Sequence, residues 1–303
     1  MYECLSYGPA GGCQGSDRIA RPSRGRRLSG TGGAALTSST PDALWGAPAN
    51  RVLRPTAIAA AGLSRRPLLD RCSLSVPVGM RLLIVGDPET SASMLLRVLA
   101  GLSRPTAGRV EIAGLRDPSS DGWGTRMAYL GPQPGIHGWM TPREALVLAG
   151  RLLDLPDAEA ARRIDRAIAW ARIPASMVNR PVRRGGPPLA QRVGLAAALV
   201  ADPEVLLLDE PLRALESHER ARLLRLPGRR RTVVLASRYP ASEVGLASHV
   251  ALLRDGRVAM LARVADLEAA GLPLSMRGIV SLAELPQSTA GVAIGHPAAA
   301  RGT

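Results

Sequence analysis

The chain has 303 residues and carries 39 Lys+Arg against 25 Asp+Glu, a net charge of +14, and every one of those 39 is arginine. Hydrophobic residues make up 46%, enough for a packed core, which excludes a wholly disordered chain. The lack of lysine excludes any site built on an ammonium group: a phosphate-loop lysine, a Schiff base or a lysine base. Residues 1–50 are rich in Gly, Ser, Pro and Arg and lack periodicity, so they are expected to be a disordered tail or an over-extended start. Strands are expected over 56–61 and 72–76, and RLLIV at 81–85 is an apolar run of the buried-strand type. Gly86 follows, then a polar stretch, then a helix over 93–100, the order that opens a phosphate-binding βα unit. A turn at 105–108 leads to a hairpin-like strand over 109–113, and another strand is expected over 126–130. Helices are expected over 142–153, 158–171 and 189–201. The apolar run 205–208 ends in Asp209-Glu210-Pro211, and a helix over 215–224 is stopped by Pro227-Gly228. Residues 232–236 form a β-branched buried strand, and 249–253 and 257–261 flank the hairpin turn Asp255-Gly256. A last helix covers 264–270, residues 271–303 form a tail, and from about Pro286 that tail is expected to be poorly structured. Apolar strands alternating with helices specify an α/β protein with a mostly parallel central sheet.

Cys4, Cys13 and Cys72 have no metal-ligand spacing and point to reduced thiols, and the four histidines are scattered. No apolar run reaches the length of a membrane span, and no basic-then-apolar start marks a signal peptide. The arginines gather weakly at Arg24, Arg26 and Arg27, at Arg183 and Arg184, and at Arg229, Arg230 and Arg231. No aromatic residues interleave with them as stacking platforms for bases. They are therefore expected to be solvated surface, with no nucleic-acid partner.

Five segments in order resemble the ATP-binding subunit of ABC transporters over residues 55–270. GLSRPTAGRVEIAGL at 101–115 resembles the segment after the phosphate-loop helix. YLGPQPGIHGWMTPREAL at 129–146 resembles the glutamine loop and the following helix. QRVGLAAALVADPEVLLLDEP at 191–211 resembles the helix after the signature motif running into Walker B. VVLAS at 233–237 and LLRDGRV at 252–258 resemble the switch strand and the final hairpin. The resemblance implies a P-loop NTPase-like ABC ATPase fold with an N-terminal β subdomain and a helical subdomain inserted at about 135–190. It implies ATP and Mg²⁺ as cofactors and a membrane permease subunit as partner. It also implies a homodimer, or a heterodimer with another ATP-binding subunit, and a cytoplasmic, peripheral location at the inner face of the cell membrane. By the same resemblance Asp209 supports Mg²⁺ through water and Glu210 polarises the attacking water. Gly86, Ser91 and Ser93 fall in the phosphate loop, Ser93 also facing Mg²⁺, Gln133 in the glutamine loop and Arg238 at the switch.

Several of these motifs depart from the family pattern. G-x-x-x-x-G-K-[ST] maps onto Gly86-Asp87-Pro88-Glu89-Thr90-Ser91-Ala92-Ser93, with Ser91 for the second glycine and Ala92 for the lysine. A unit charge at about 4 Å in an effective dielectric near 20 interacts at roughly 4 kcal/mol. A helix dipole contributes only about 0.3–1 kcal/mol. Ala92 supplies no charge, Asp87 and Glu89 add acidity, and the stretch also suits a helix capped by Thr90 or Ser91. The signature LSGGQ maps without gaps onto Gly185-Gly186-Pro187-Pro188-Leu189; a two-residue insertion would pair Gly185-Gly186 with the family's glycines. The glutamine position falls on Pro132, one residue before Gln133, and the switch histidine is replaced by Arg238. The D-loop reads Arg213-Ala214-Leu215-Glu216, and residues 62–67 hold no aromatic to stack adenine. A degenerate Walker A and signature in one chain spoil both composite sites of a head-to-tail dimer. The expectation is an ABC transporter subunit with weak or lost ATPase activity. The alternatives are a non-catalytic structural or regulatory pseudo-subunit and an arginine-rich nucleic-acid-associated protein.

Overall fold

The computed structural model describes residues 56–87, 90–216, 219, 231–273 and 275–284. The expected N-terminal tail, most of the helix over 215–224, and everything after 284 lie outside the described residues; Leu215 and Glu216 are not helical and Glu219 is.

In chain order the elements are strands β1 Thr56–Arg65, β2 Leu69–Pro77 and β3 Arg81–Asp87, helix α1 Thr90–Leu99, strand β4 Ala107–Ile112, a helical turn α2 Trp123–Arg126 and strand β5 Met127–Leu130. Helices α3 Pro142–Leu152, α4 Asp157–Trp170 and α5 Gly186–Val200 follow, then strands β6 Val205–Asp209 and β7 Thr232–Ala236 and a helical turn α6 Pro240–Glu243. The chain continues with β8 His249–Arg254, β9 Arg257–Arg263, helix α7 Val264–Ala269 and helix α8 Met276–Glu284. Two sheets result: β2-β1-β4, and β5-β6-β7-β3-β8-β9. The larger sheet is parallel except for β9, which returns antiparallel to β8. The strand over 109–113 is therefore no hairpin partner of its sequence neighbours; β4 pairs antiparallel with β1, Ile112 opposite Ile58.

Burial explains the two kinds of strand. Every residue of β6 and of β7 is buried, as expected where helices or a second sheet cover both faces of a parallel sheet. One apolar cluster joins the small sheet, through Ile58 and Leu63, to Leu95 and Leu99 of α1 and to the near face of the large sheet. A second lies on the far face around Leu83, Leu206 and Val250. A third belongs to α3, α4 and α5, around Leu146, Ile164 and Val193. The start of α3 is fixed by a reciprocal cap: Glu144 N–H donates to Thr141 Oγ1 at 3.2 Å and Thr141 N–H to Glu144 Oε2 at 2.8 Å.

Helix α5 is shared between two cores, with Val193, Ala196 and Val200 in the helical cluster and Leu195 and Leu199 under the sheet. Its Gly194 admits the loop after β5, because a Cβ there would stand 2.6 Å from Pro134 Cβ and 3.0 Å from Leu130 Cδ1.

Two expectations need correction. Arg231 is buried rather than solvated: its Nε donates to the Pro203 carbonyl at 2.9 Å and its guanidinium pairs with Asp202, tying β7 to the entry of β6. The residues after 271 also form α8, whose Ile279 is fully buried. Gly278 makes that helix hard to anticipate, since glycine is a poor helix former, yet a Cβ there would lie 2.0 Å from the Pro273 carbonyl oxygen. Cys72 is buried and free, and burial pushes its thiol up to about 11.

Ile279→Ala is expected to destabilise the protein by about 2–5 kcal/mol, the range for emptying a buried large aliphatic side chain. A urea midpoint unchanged from the parent would show that α8 is not part of the core.

Candidate functional site

Ligands of α/β sheets bind beyond the carboxyl ends of the strands, and here the sequence-selected residues converge at those ends. Asp209 is the last residue of β6 and is almost fully buried. Ser93, in the second turn of α1, donates its hydroxyl to Asp209 Oδ1 at 2.8 Å. Tyr129, on the neighbouring strand β5, donates its phenol to Oδ2 at 3.3 Å. Burial raises the Asp209 carboxyl above its ordinary value, while the two hydroxyl donors and the charges of Arg97 and Arg238 pull it back. The folded state thus holds this proton more tightly than the unfolded chain. The group favours the fold at acidic pH, an effect lost as pH rises through the raised value. The same burial, with the Asp209 charge, pushes the Tyr129 phenol up to about 12.

Glu210 follows in the left-handed region, at φ +51°, which for a residue with a side chain costs of order 1–3 kcal/mol. Three contacts hold it there. Its N–H donates to the Ala236 carbonyl at 3.0 Å. Its Oε1 accepts both the backbone N–H of Arg238 at 2.8 Å and the Arg238 Nε at 3.2 Å. One residue further, the buried Gln191 of α5 donates its amide to the Pro211 carbonyl at 2.7 Å, bracing the chain as it leaves β6.

The phosphate-loop residues are placed differently. Gly86 and Asp87 continue the β3 ladder opposite Leu253 and Arg254, and α1 begins at Thr90, so only Pro88 and Glu89 separate strand from helix. Ser91 is fully buried, and Ala92 is 3% exposed among the apolar residues around Leu95 and Leu96. In the signature region Gly185 ends a 3₁₀ turn, Gly186 takes φ +65°, and Pro187 and Pro188 occupy the first turn of α5. Gly185 and Gly186 therefore sit at the helix start, and the next two positions have no N–H to offer an anion. Gln133 is exposed, and among the described residues no hydrogen bond joins it to the Ser93–Asp209 cluster.

Chemically, Ser93 and Asp209 are hard oxygen donors that fit Mg²⁺, an ion that usually keeps several of its waters. On the phosphate side Ala92, at the position the family pattern gives to lysine, is an apolar core position and brings no cation. Tyr129 and Gln191 were not singled out by sequence. The signal for Tyr129 is structural: a phenol near the end of a strand paired with β6 stands beside the carboxylate that ends β6.

The four tyrosines of the chain should separate in an ultraviolet alkaline titration. Tyr129→Phe is expected to remove a phase near 12, well above the ordinary tyrosine value of about 10. A titration curve unchanged in shape by the substitution would show that the phenol is not held by Asp209.

The ABC transporter family profile matches residues 69–213. The aliphatic sulfonates import ATP-binding protein SsuB of Corynebacterium glutamicum is 33% identical over 198 residues, covering 64% of this chain and 76% of that protein. The energy-coupling factor transporter ATP-binding protein EcfA2 of Symbiobacterium thermophilum is 34% identical over 221 residues, covering 67% and 76%. The taurine import ATP-binding protein TauB of Mesorhizobium japonicum is 36% identical over 159 residues, covering 52% and 60%. Among solved structures, a dimeric ATP-binding cassette in a post-hydrolysis state with ADP and Pi superposes with a TM-score of 0.61 at 19% identity, over 68% of this chain and 98% of that one. With the strand order, the Ser93–Asp209 contact and these relatives together, the chain belongs to the ABC transporter ATP-binding family.

Proposed function

We propose that the chain is the ATP-binding-cassette subunit of an uptake transporter, seated on a membrane permease and turning over ATP weakly or not at all. The uptake role is drawn from relatives named as import and energy-coupling ATP-binding proteins. The weak turnover rests on one observation above the others: Ala92, where the family pattern has lysine, is packed into the core. In this reading Ser93 and Asp209 would hold Mg²⁺, which when bound neutralises phosphate charge, while Gly86 and Ser91 keep only the outline of the phosphate loop. Gln133 lies on the loop that leads to the permease-facing side, and Arg238 takes the switch position.

The permease contact is supported by an exposed apolar strip on α3, where Leu148 and Leu152 are one turn apart and 46% and 77% exposed. Trp139, stacked on His137 at 5.7 Å between ring centroids, is exposed on the loop just before it. No helix of the described residues is long and apolar enough to cross a membrane, so in this reading the chain reaches the inner face through the permease. A second ATP-binding subunit, identical or different, would complete the dimer.

The Arg238–Glu210 contact favours a second reading, a non-catalytic pseudo-subunit. Glu210 Oε1 accepts from both a guanidinium and a backbone N–H, which occupies one oxygen of the carboxylate and lowers its readiness to take a proton from water.

Millimolar Mg-ATP is expected to leave the melting temperature nearly unchanged and to be hydrolysed at a rate that Glu210→Gln does not lower. A large stabilisation, with turnover that Glu210→Gln abolishes, would overturn the weak-turnover reading. Ala92→Lys alone is expected to destabilise rather than rescue. Overpacking at that position costs about 1–3 kcal/mol before any desolvation of the ammonium, and a urea midpoint at or above the parent's would refute this.

A further inference from the structure

A second cationic feature stands apart from the Ser93–Asp209 cluster, at the junction of the two sheets. Three arginines surround one carboxylate there. Arg257 Nη2 donates to Asp70 Oδ2 at 2.6 Å, Arg66 Nη2 lies 3.7 Å from Oδ1 and Arg71 Nε lies 4.0 Å from Oδ2. Only the first distance is a hydrogen bond; the other two exceed the usual limit of about 3.2 Å. Asp70 neutralises one charge of three. Arg66 and Arg71 have side chains 84% and 73% exposed, and each presents a planar donor fork suited to an oxyanion.

The backbone fixes this grouping. Between the pairs Leu63↔Cys72 and Arg65↔Leu69, β1 has one residue, Ser64, where β2 has two, Asp70 and Arg71. That is a β-bulge, a device that redirects side chains. Arg71 takes φ +49° in it, and its N–H is held by Ser64 Oγ at 3.0 Å. The tip of the β8–β9 hairpin locks onto the bulge: the Asp70 N–H donates to the Gly256 carbonyl at 3.0 Å, and a Cβ on Gly256 would stand 2.6 Å from the Asp70 nitrogen. Arg257 is thereby delivered from β9 to a carboxylate on β2. The hairpin tip also lies at the carboxyl edge of the parallel sheet, because Arg254 on β8 pairs with Asp87 at the end of β3. With strands about 4.8 Å apart, β9 is two strands, roughly 10 Å, from the end of β3.

We propose that Arg66, Arg71 and Arg257 form a site for a phosphate-bearing anion, with Asp70 as the internal counter-charge that orients Arg257 and that the anion supplements. Such a site takes a phosphate group through side-chain guanidiniums, independently of Ser93, Asp209 and the loop at 86–93. It goes beyond the proposed cassette function and does not depend on it. Inorganic pyrophosphate without Mg²⁺, which asks nothing of a nucleotide pocket, tests it in solution. Phosphatidylcholine vesicles with and without phosphatidylglycerol test a lipid headgroup as the source of the phosphate.

Titration calorimetry with pyrophosphate is expected to show binding that Arg66→Gln/Arg71→Gln weakens about tenfold or more. Arg162→Ala/Arg166→Ala, which removes the same charge from α4, should leave it within about twofold. Asp70→Asn, which keeps a side-chain oxygen for Arg257 but removes the negative charge facing the anion, should tighten it. If pyrophosphate does not bind but phosphatidylglycerol vesicles do, and the Arg66/Arg71 variant releases them while the α4 variant does not, the phosphate is that of a headgroup and the site stands. Binding of neither probe, or equal losses in the two double variants, overturns the proposal. Because no Mg-ATP is involved, failure here is separate from failure of the cassette reading.

Discussion

Asp209 ends a strand in which every residue is buried, so both oxygens of its carboxylate must find donors inside the protein. They find Ser93 on α1 and Tyr129 on β5, and that need organises the carboxyl edge of the sheet. One carboxylate thereby draws together a helix, the strand it ends and the strand beside it. Arg97, one turn beyond Ser93 on α1, adds its field to the same group. The arrangement is stable without a ligand, since each oxygen already accepts a hydroxyl proton.

The same principle acts one residue later with a different outcome. Glu210 is buried in a left-handed backbone conformation, and its partners, the Ala236 carbonyl and the backbone and side chain of Arg238, all come from β7 or the turn after it. Arg238 thus ties the end of β7 to the residue that follows β6 through both its backbone and its side chain.

How far this was legible in sequence depended on what kind of force set each residue. β6 and β7 could be read because unbroken apolar runs ending in polar residues leave few alternatives in an α/β chain. Resemblance singles out Ser93, Asp209 and Glu210, and the fold brings Ser93 within a hydrogen bond of Asp209. Tyr129 and Gln191 were not found, because their roles arise from strand pairing and helix packing between distant segments, and a lone phenol or amide in a string carries no sign of either. Arg231 looks like surface in the sequence because its run of arginines is uniform, while only the fold supplies the Asp202 and Pro203 oxygens that bury it. Helix α8 is hidden in the sequence for a related reason: Gly278 lowers local helix propensity in exchange for room beside a carbonyl oxygen.

Gly194 has a mechanical consequence. Pro134, next to Gln133, rests directly on the backbone of α5 at that glycine, and α5 packs on α3 at one side and under β5 and β6 at the other. With no side chain between them, loop and helix meet backbone to proline ring, and the segment just after Tyr129 is seated on α5. Any side chain at 194 would lift that segment off the helix, so one absent Cβ sets the spacing between the helical cluster and the strand that carries Tyr129.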